Sequence, residues 1–284
     1  MITLFRLLAR VPLPWMHRIG AGLGWLVYAC SPTYRGRMKA NAEAAGFTRA
    51  QYRPAIGAAG KMVAELPWLW LRPPGVSVLT RVRWFNEDVF EQALATGRGV
   101  ILATPHVGSW EMIGQAIAER FAPEHGPLTV LYRPARKAWL ADLTAGSRDR
   151  PGLKALPTTL AGVRGLMRVM RSGGYTGLLP DQVPPQGQGV WAPFFGRPAY
   201  TMTLLARLAQ QTGAQVLMTW CERLPDARFV IHFEAVDAPA LHDAGATPEA
   251  AATAMNETLM RLIERLPGQY LWGYGRYKRP RDEA

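Results

Sequence analysis

From residue 87 to residue 266, short apolar runs alternate with amphipathic stretches, and this alternation constrains the fold more than any other feature of the chain. The runs 99–104 (GVILAT), 127–132 (PLTVLY), 175–180 (YTGLLP), 214–221 (AQVLMTWC) and 228–235 (RFVIHFEA) have the length and composition of buried strands. Stretches 87–96, 110–120, 159–172, 200–211 and 248–266 carry helical spacing. Strands taken in turn with helices build a sheet with helices on its faces. The expected fold is therefore α/β, with a mixed, largely parallel sheet flanked by helices. No repeat or low-complexity linker divides this part, so one domain over 37–284 is expected. The Pro/Gly-rich stretch 184–193 (PPQGQGVWAP) is expected to be a functional loop.

Residues 1–36 differ in kind. Their apolar character is broken by Arg6, Arg10, His17 and Arg18. The uncharged run from Ile19 to Cys30 falls well short of the roughly 20 residues that a spanning helix needs. Pro12 and Pro14, with no small-residue cleavage site after Cys30, argue against a cleaved signal. An N-terminal helical, membrane-associating region is expected instead, an interfacial helix pair or short tilted anchor with Trp15 and Trp25 near headgroup level. A buried helix of a soluble domain has the same periodicity and stays open. Gly20, Gly22 and Gly24 lack the spacing of a dinucleotide fingerprint and suggest close helix packing. A helical pattern returns from Arg49 to Leu71, where Pro54 and Pro67 are expected to break or bend it.

The 33 Lys and Arg against 21 Asp and Glu leave a net charge of +12, which calls for an anionic partner. The 10 Trp and 11 Met that accompany this charge favour a membrane surface over nucleic acid, and no zinc-finger or RNA-binding aromatic motif is present. Two cysteines, Cys30 and Cys221, form no disulfide framework and suggest a reducing compartment.

Strand 99–104 runs into Pro105, His106, Val107, Gly108, Ser109, Trp110 and Glu111 before an apolar helix begins. Ligands of open α/β sheets bind at the carboxyl ends of strands, which puts His106 where chemistry is expected. Ser109 is the expected N-cap, placing Glu111 in the first helical turn. With His106 in the loop, the chain can fold back so that the Glu111 carboxylate approaches the imidazole. A histidine held by an acid is a general base: the carboxylate fixes the tautomer and stabilises the imidazolium as a hydroxyl loses its proton. The competing reading makes His106 a strand-end residue and Glu111 a complement to the helix N-terminus. Ser109 lacks the G-x-S-x-G elbow of a nucleophile. No H-E-x-x-H is present and His17, His125, His232 and His242 are scattered, so no metal site is expected.

Further motifs follow His106-x-x-x-x-Glu111 in order. They are Tyr132-Arg133-Pro134, the Arg148/Arg150 segment, Pro180-Asp181-Gln182, Phe194-Phe195-Gly196 with Pro198 and Thr201, and 267–272 (PGQYLW) with Arg276 and Lys278. From about Met38 to Pro280 this set resembles the lipid A biosynthesis acyltransferases, the lauroyl/myristoyl type of bacterial late acyltransferase within the His-x4-acid group. Val183 departs from the resemblance, standing where many relatives carry another acid. The resemblance implies an enzyme at the cytoplasmic face of the inner membrane. Such an enzyme moves a fatty acyl chain from acyl carrier protein to a hydroxyl of a lipid A precursor, without cofactor or nucleic acid.

It also implies residue roles: His106 as base, Glu111 orienting and charging it, and Arg133 binding the oxyanion or an acceptor phosphate. Asp181 would organise Arg133 or a neighbouring loop, while Phe194 and Phe195 would wall the acyl pocket. Arg148, Arg150 and the basic segment 276–281 would meet lipid phosphates or acyl carrier protein. Plain structural readings stay open for these: a turn former for Asp181, core for the aromatic pair and solvated charge for the arginines. Two other functions also stay open. One is the same chemistry on another phospholipid, aminolipid or glycolipid; the other is a non-catalytic basic protein that binds membranes or nucleic acid.

Overall fold

The computed structural model describes residues 2–73, 75–132 and 150–281. The five apolar runs become its five inner strands: β2 (Val100–Ala103), β3 (Leu128–Tyr132), β5 (Tyr175–Leu178), β8 (Gln215–Arg223) and β9 (Phe229–Ala235). With β1 (Val82–Phe85) and β4 (Leu153–Pro157) they form one sheet in the order β1-β9-β8-β2-β5-β3-β4. All neighbours are parallel except β8 and β9. The expected mixed, largely parallel sheet is therefore present. β1 and β4, which the sequence reading missed, are its two edges. Their half-exposed pattern and solvent-facing Arg83 and Lys154 break the apolar run that marks an inner strand.

Every residue of β2 is buried, as expected of a central strand covered on both faces. Ile101 and Ala103 pack into one core with α8 (Leu160–Arg171), α9 (Leu204–Thr212) and α10 (Pro248–Arg265). Val100 and Leu102 pack into a second with α6 (Glu87–Ala95) and α7 (Trp110–His125). β2 and β8 share a register from Val100↔Gln215 to Ala103↔Met218, so Thr219–Arg223 run on beyond the end of β2.

One expected loop is corrected. Residues 189–194 form β6, which pairs with β7 (Arg197–Met202), and helix α9 starts only at Leu204. The connecting Phe195 and Gly196 both have positive φ, as a two-residue hairpin turn matching strand twist requires.

The N-terminal part contains α1 (Ile2–Leu8), α2 (Leu13–Cys30), α3 (Pro32–Ala44), α4 (Arg49–Tyr52) and α5 (Pro54–Leu71). Pro54 opens α5 at its first turn, whereas Pro67 is accommodated inside the helix. The boundary expected at 36/37 falls within α3, whose Asn41 donates to the carbonyls of Trp272 and Tyr274. Two of the three expected packing glycines bring backbones together: a Cβ on Gly20 or Gly24 would collide with α5 at Gly60 or Ile56, whereas Gly22 meets nothing. No helix among the described residues is long and apolar enough to cross a membrane. The outer side of α2 nonetheless exposes Trp15, Ile19, Leu23 and Leu26.

Candidate active site

Parallel neighbours bring the ends of β2 and β5 side by side. Ala103 is in register with Leu178, and His106 and Asp181 each lie three residues beyond that pair. The two side chains meet there. Asp181 Oδ1 is 2.7 Å from His106 Nδ1, and Oδ2 accepts the His106 amide N–H at 2.9 Å. On the far side of the ring, the Gln182 amide nitrogen donates to His106 Nε2 at 2.9 Å. With Nδ1–H given to the carboxylate, Nε2 presents its lone pair, the tautomer of a general base. The Trp110 indole packs against the imidazole at a centroid distance of 5.0 Å.

Both His106 and Asp181 are buried. Burial alone would raise the Asp181 carboxyl; the electrostatic pull and hydrogen bonds of the His106 side chain and amide, with Arg276 beyond, hold it below its ordinary value. The acid on the ring is thus Asp181 rather than Glu111, which corrects the orienting role expected for Glu111. Pairing set by strand neighbours won over proximity in sequence. Glu111 lies in the first turn of α7, where it accepts from the Trp70 indole N–H at 3.4 Å. Glu111 and Trp110 also line a cavity of about 110 Å3 walled by Leu102, Ile113, Val130 and Leu131.

Arg133 and Arg148 lie outside the described residues. Arg150 donates to the carbonyls of Trp70 and Arg72, at 3.2 and 2.8 Å. Phe194 ends β6 in the core and Phe195 sits in the hairpin turn, against Phe47 and Trp272. Neither lines the cavity beside Glu111. Arg276, expected to join a phosphate-binding surface, is instead a buried strut. It bonds to the Tyr200 carbonyl, Thr201 Oγ1 and Asn256 Oδ1.

Sequence reasoning missed the side chains that hold the His106 loop from behind. Ser109 occupies the N-cap position but does not cap α7; its hydroxyl donates to Glu65 Oε2 at 2.6 Å. Arg223, at the end of β8, reaches Glu65 Oε1 and Oε2 at 2.5 and 2.9 Å and the Gly108 carbonyl at 3.1 Å. Gly108 has φ +60°, and a Cβ there would collide with the Cys221 carbonyl. The PGQYLW segment completes the mount: Gly108 N–H donates to Gln269 O, and Leu271 N–H to His106 O. A lone acid inside α5 and an arginine ending an apolar strand were the available signals.

The chain is similar to known acyltransferases. The chain is 31% identical over 138 residues to a phosphatidylinositol mannoside acyltransferase of Mycobacterium tuberculosis, a match covering 47% of this chain and 42% of that protein. It is 28% identical over 192 residues to a lipid A biosynthesis acyltransferase of Haemophilus influenzae, covering 68% and 58%. These two matches span about half the length of each relative. A longer one, 23% identical over 290 residues, reaches the lipid A biosynthesis lauroyltransferase of Escherichia coli strain K12 and covers 96% of this chain and 88% of that protein. The model of the bacterial lipid A biosynthesis acyltransferases matches residues 1–279, and the chain belongs to that family.

Proposed function

We propose that this chain is an acyltransferase that moves a fatty acyl group from an acyl carrier protein thioester to a hydroxyl of a lipid A precursor, with His106 as general base. The observation that carries this reading is the Asp181–His106 pair, which leaves Nε2 as the proton acceptor at the end of the sheet. The acceptor hydroxyl takes the place of the Gln182 amide at Nε2 and gives its proton to the ring as its oxygen attacks the thioester carbonyl. Collapse of the tetrahedral intermediate breaks the carbon–sulfur bond, and the imidazolium returns the proton to the departing thiolate. Asp181 stabilises the imidazolium in between. Glu111 is assigned to the substrate side of the site, where the adjoining apolar cavity suits the start of an acyl chain. Arg133 is assigned to the oxyanion or an acceptor phosphate and Arg148 to lipid phosphates or acyl carrier protein, whereas Arg150 is engaged by the Trp70 and Arg72 carbonyls.

The outer row of α2, with the Arg18 guanidinium 4.8 Å above the Trp15 ring, supports docking on the cytoplasmic face of the inner membrane. The net charge of +12 suits an anionic leaflet, a phosphorylated glycolipid and acidic acyl carrier protein together.

Purified wild type, His106→Ala and Glu111→Ala, given acyl-loaded carrier protein and lipid A precursor, test the reading. Acyl transfer by wild type and its loss in folded His106→Ala are expected; full activity in His106→Ala overturns the base. The mycobacterial match favours a second reading, transfer to another glycolipid. Mass spectrometry of lipid A from cells with and without the protein separates the two: one acyl chain of mass difference supports a lipid A acceptor, and unchanged lipid A supports the alternative. Salt-dependent membrane or nucleic-acid binding, with no transfer from any thioester, marks a non-catalytic protein.

A further inference from the structure

Glu65 lies on α5, 1% exposed, with three partners from three other parts of the chain. Arg223 grips it through two nitrogens, Ser109 donates its hydroxyl to it, and His17 Nε2 of α2 approaches to 2.6 Å without hydrogen-bond alignment. A carboxylate removed from water at large cost is kept here by a guanidinium that is itself buried. The pair leads to the His106 loop at two adjacent points. Arg223 donates to the Gly108 carbonyl and Glu65 accepts from the Ser109 hydroxyl. The Gly108 and Ser109 amides are tied to the same wall, at Gln269 O and Cys221 O. Gln269 is fixed in turn, accepting the Arg223 amide and donating to the Arg223 carbonyl.

We propose that Glu65 and Arg223 are positioning residues for acyl transfer, clamping Gly108 and Ser109 so that His106 Nε2 is held at the reacting hydroxyl. This rests on His106 being the base. The clamp touches neither ring nitrogen and acts through the two residues that follow Val107 in the loop. A base displaced by about 1 Å is enough to cost up to about a hundredfold in rate, and a loop that carries its base gains its accuracy from such support.

Glu65→Gln and the smaller change Ser109→Ala, in the full chain with acyl-loaded carrier protein and lipid A precursor, separate positioning from general destabilisation. For Glu65→Gln the expected kcat falls about tenfold or more, and for Ser109→Ala about threefold, with each KM within about twofold of wild type. Backbone amides of Gly108 and Ser109 are expected to exchange with solvent faster in both variants, while those of β2 keep their protection. Ser109→Ala keeps the Glu65–Arg223 pair and serves if Glu65→Gln does not fold. Unchanged kcat in a folded variant overturns the proposal, as does faster exchange spread evenly over β2 and the loop. His106→Ala run in parallel keeps the two readings apart. Full activity there removes the base itself, whereas loss there beside full activity in Glu65→Gln removes only the clamp.

Discussion

Two buried carboxylates hold the loop after β2 from opposite sides, and they hold different things. Asp181 grips the imidazole and its own residue's amide, whereas Glu65 grips the peptide and hydroxyl two and three residues later through Arg223 and Ser109. Both are kept ionised against burial. Their partners set them apart: an imidazole can act as a proton acceptor, while a guanidinium serves as a fixed cation and donor. In the proposed reaction the Asp181 side follows the proton, and the Glu65 side is static. On that reading one side carries chemistry and the other carries geometry.

Asp181→Asn tests this contrast most severely. An amide in that place no longer enforces the tautomer, and kcat is expected to fall about 10²- to 10⁴-fold with folding retained. A loss no larger than that of Glu65→Gln would make the two sides equivalent. Gly108→Ala strikes the static side through its backbone, where a positive φ and the Cys221 carbonyl leave no room for a Cβ. Thermal unfolding is expected to show a loss of about 1–3 kcal/mol, together with reduced kcat.

Acid separates the sides in a third way. Burial alone would raise the Glu65 carboxyl, but Arg223 and then His17 bring it from 4.5 to about 2. A depressed folded value means stability that is fully present above about pH 4.5 and is lost as pH falls toward 2. The gap in Tm between wild type and Glu65→Gln is expected to narrow across that window; a gap that stays constant would dissociate Glu65 from acid stability. The smallest effect belongs to Trp70→Phe, which removes the long 3.4 Å bond to Glu111 and trims one ring packed against the second core. A rate within about threefold of wild type is expected, and a larger loss would move Glu111 toward the chemical centre.

The inner strands were legible because burial on both faces imposes an uninterrupted apolar run. β1 and β4 were not, since an edge strand keeps Arg83 or Lys154 in solvent and resembles a loop. The β6–β7 hairpin was hidden by its turn, where Phe195 takes the left-handed position usually given to Asn or Gly. His106 was readable from its place at a strand end. Its acid was misassigned because Glu111 is near in sequence, while Asp181 arrives from the next strand, 75 residues on. Asp181 had been singled out, but nothing short of strand order says that β5 lies beside β2. Glu65 and Arg223 offered only weak local signals and Ser109 pointed to a cap it does not form, for their meaning lies in a meeting of α5, β8 and the loop.

The overhang of β8 past β2 has a consequence for how such a chain can vary. The loop from Thr104 to Ser109 is laid along that extra length and fastened to it at Cys221, so it has no slack in either direction. Lengthening it by one residue is expected to carry His106 off Asp181 or Ser109 off Glu65. In the proposed reaction, a change of acceptor would then have to be met outside this segment, whose length is set by its two fastenings.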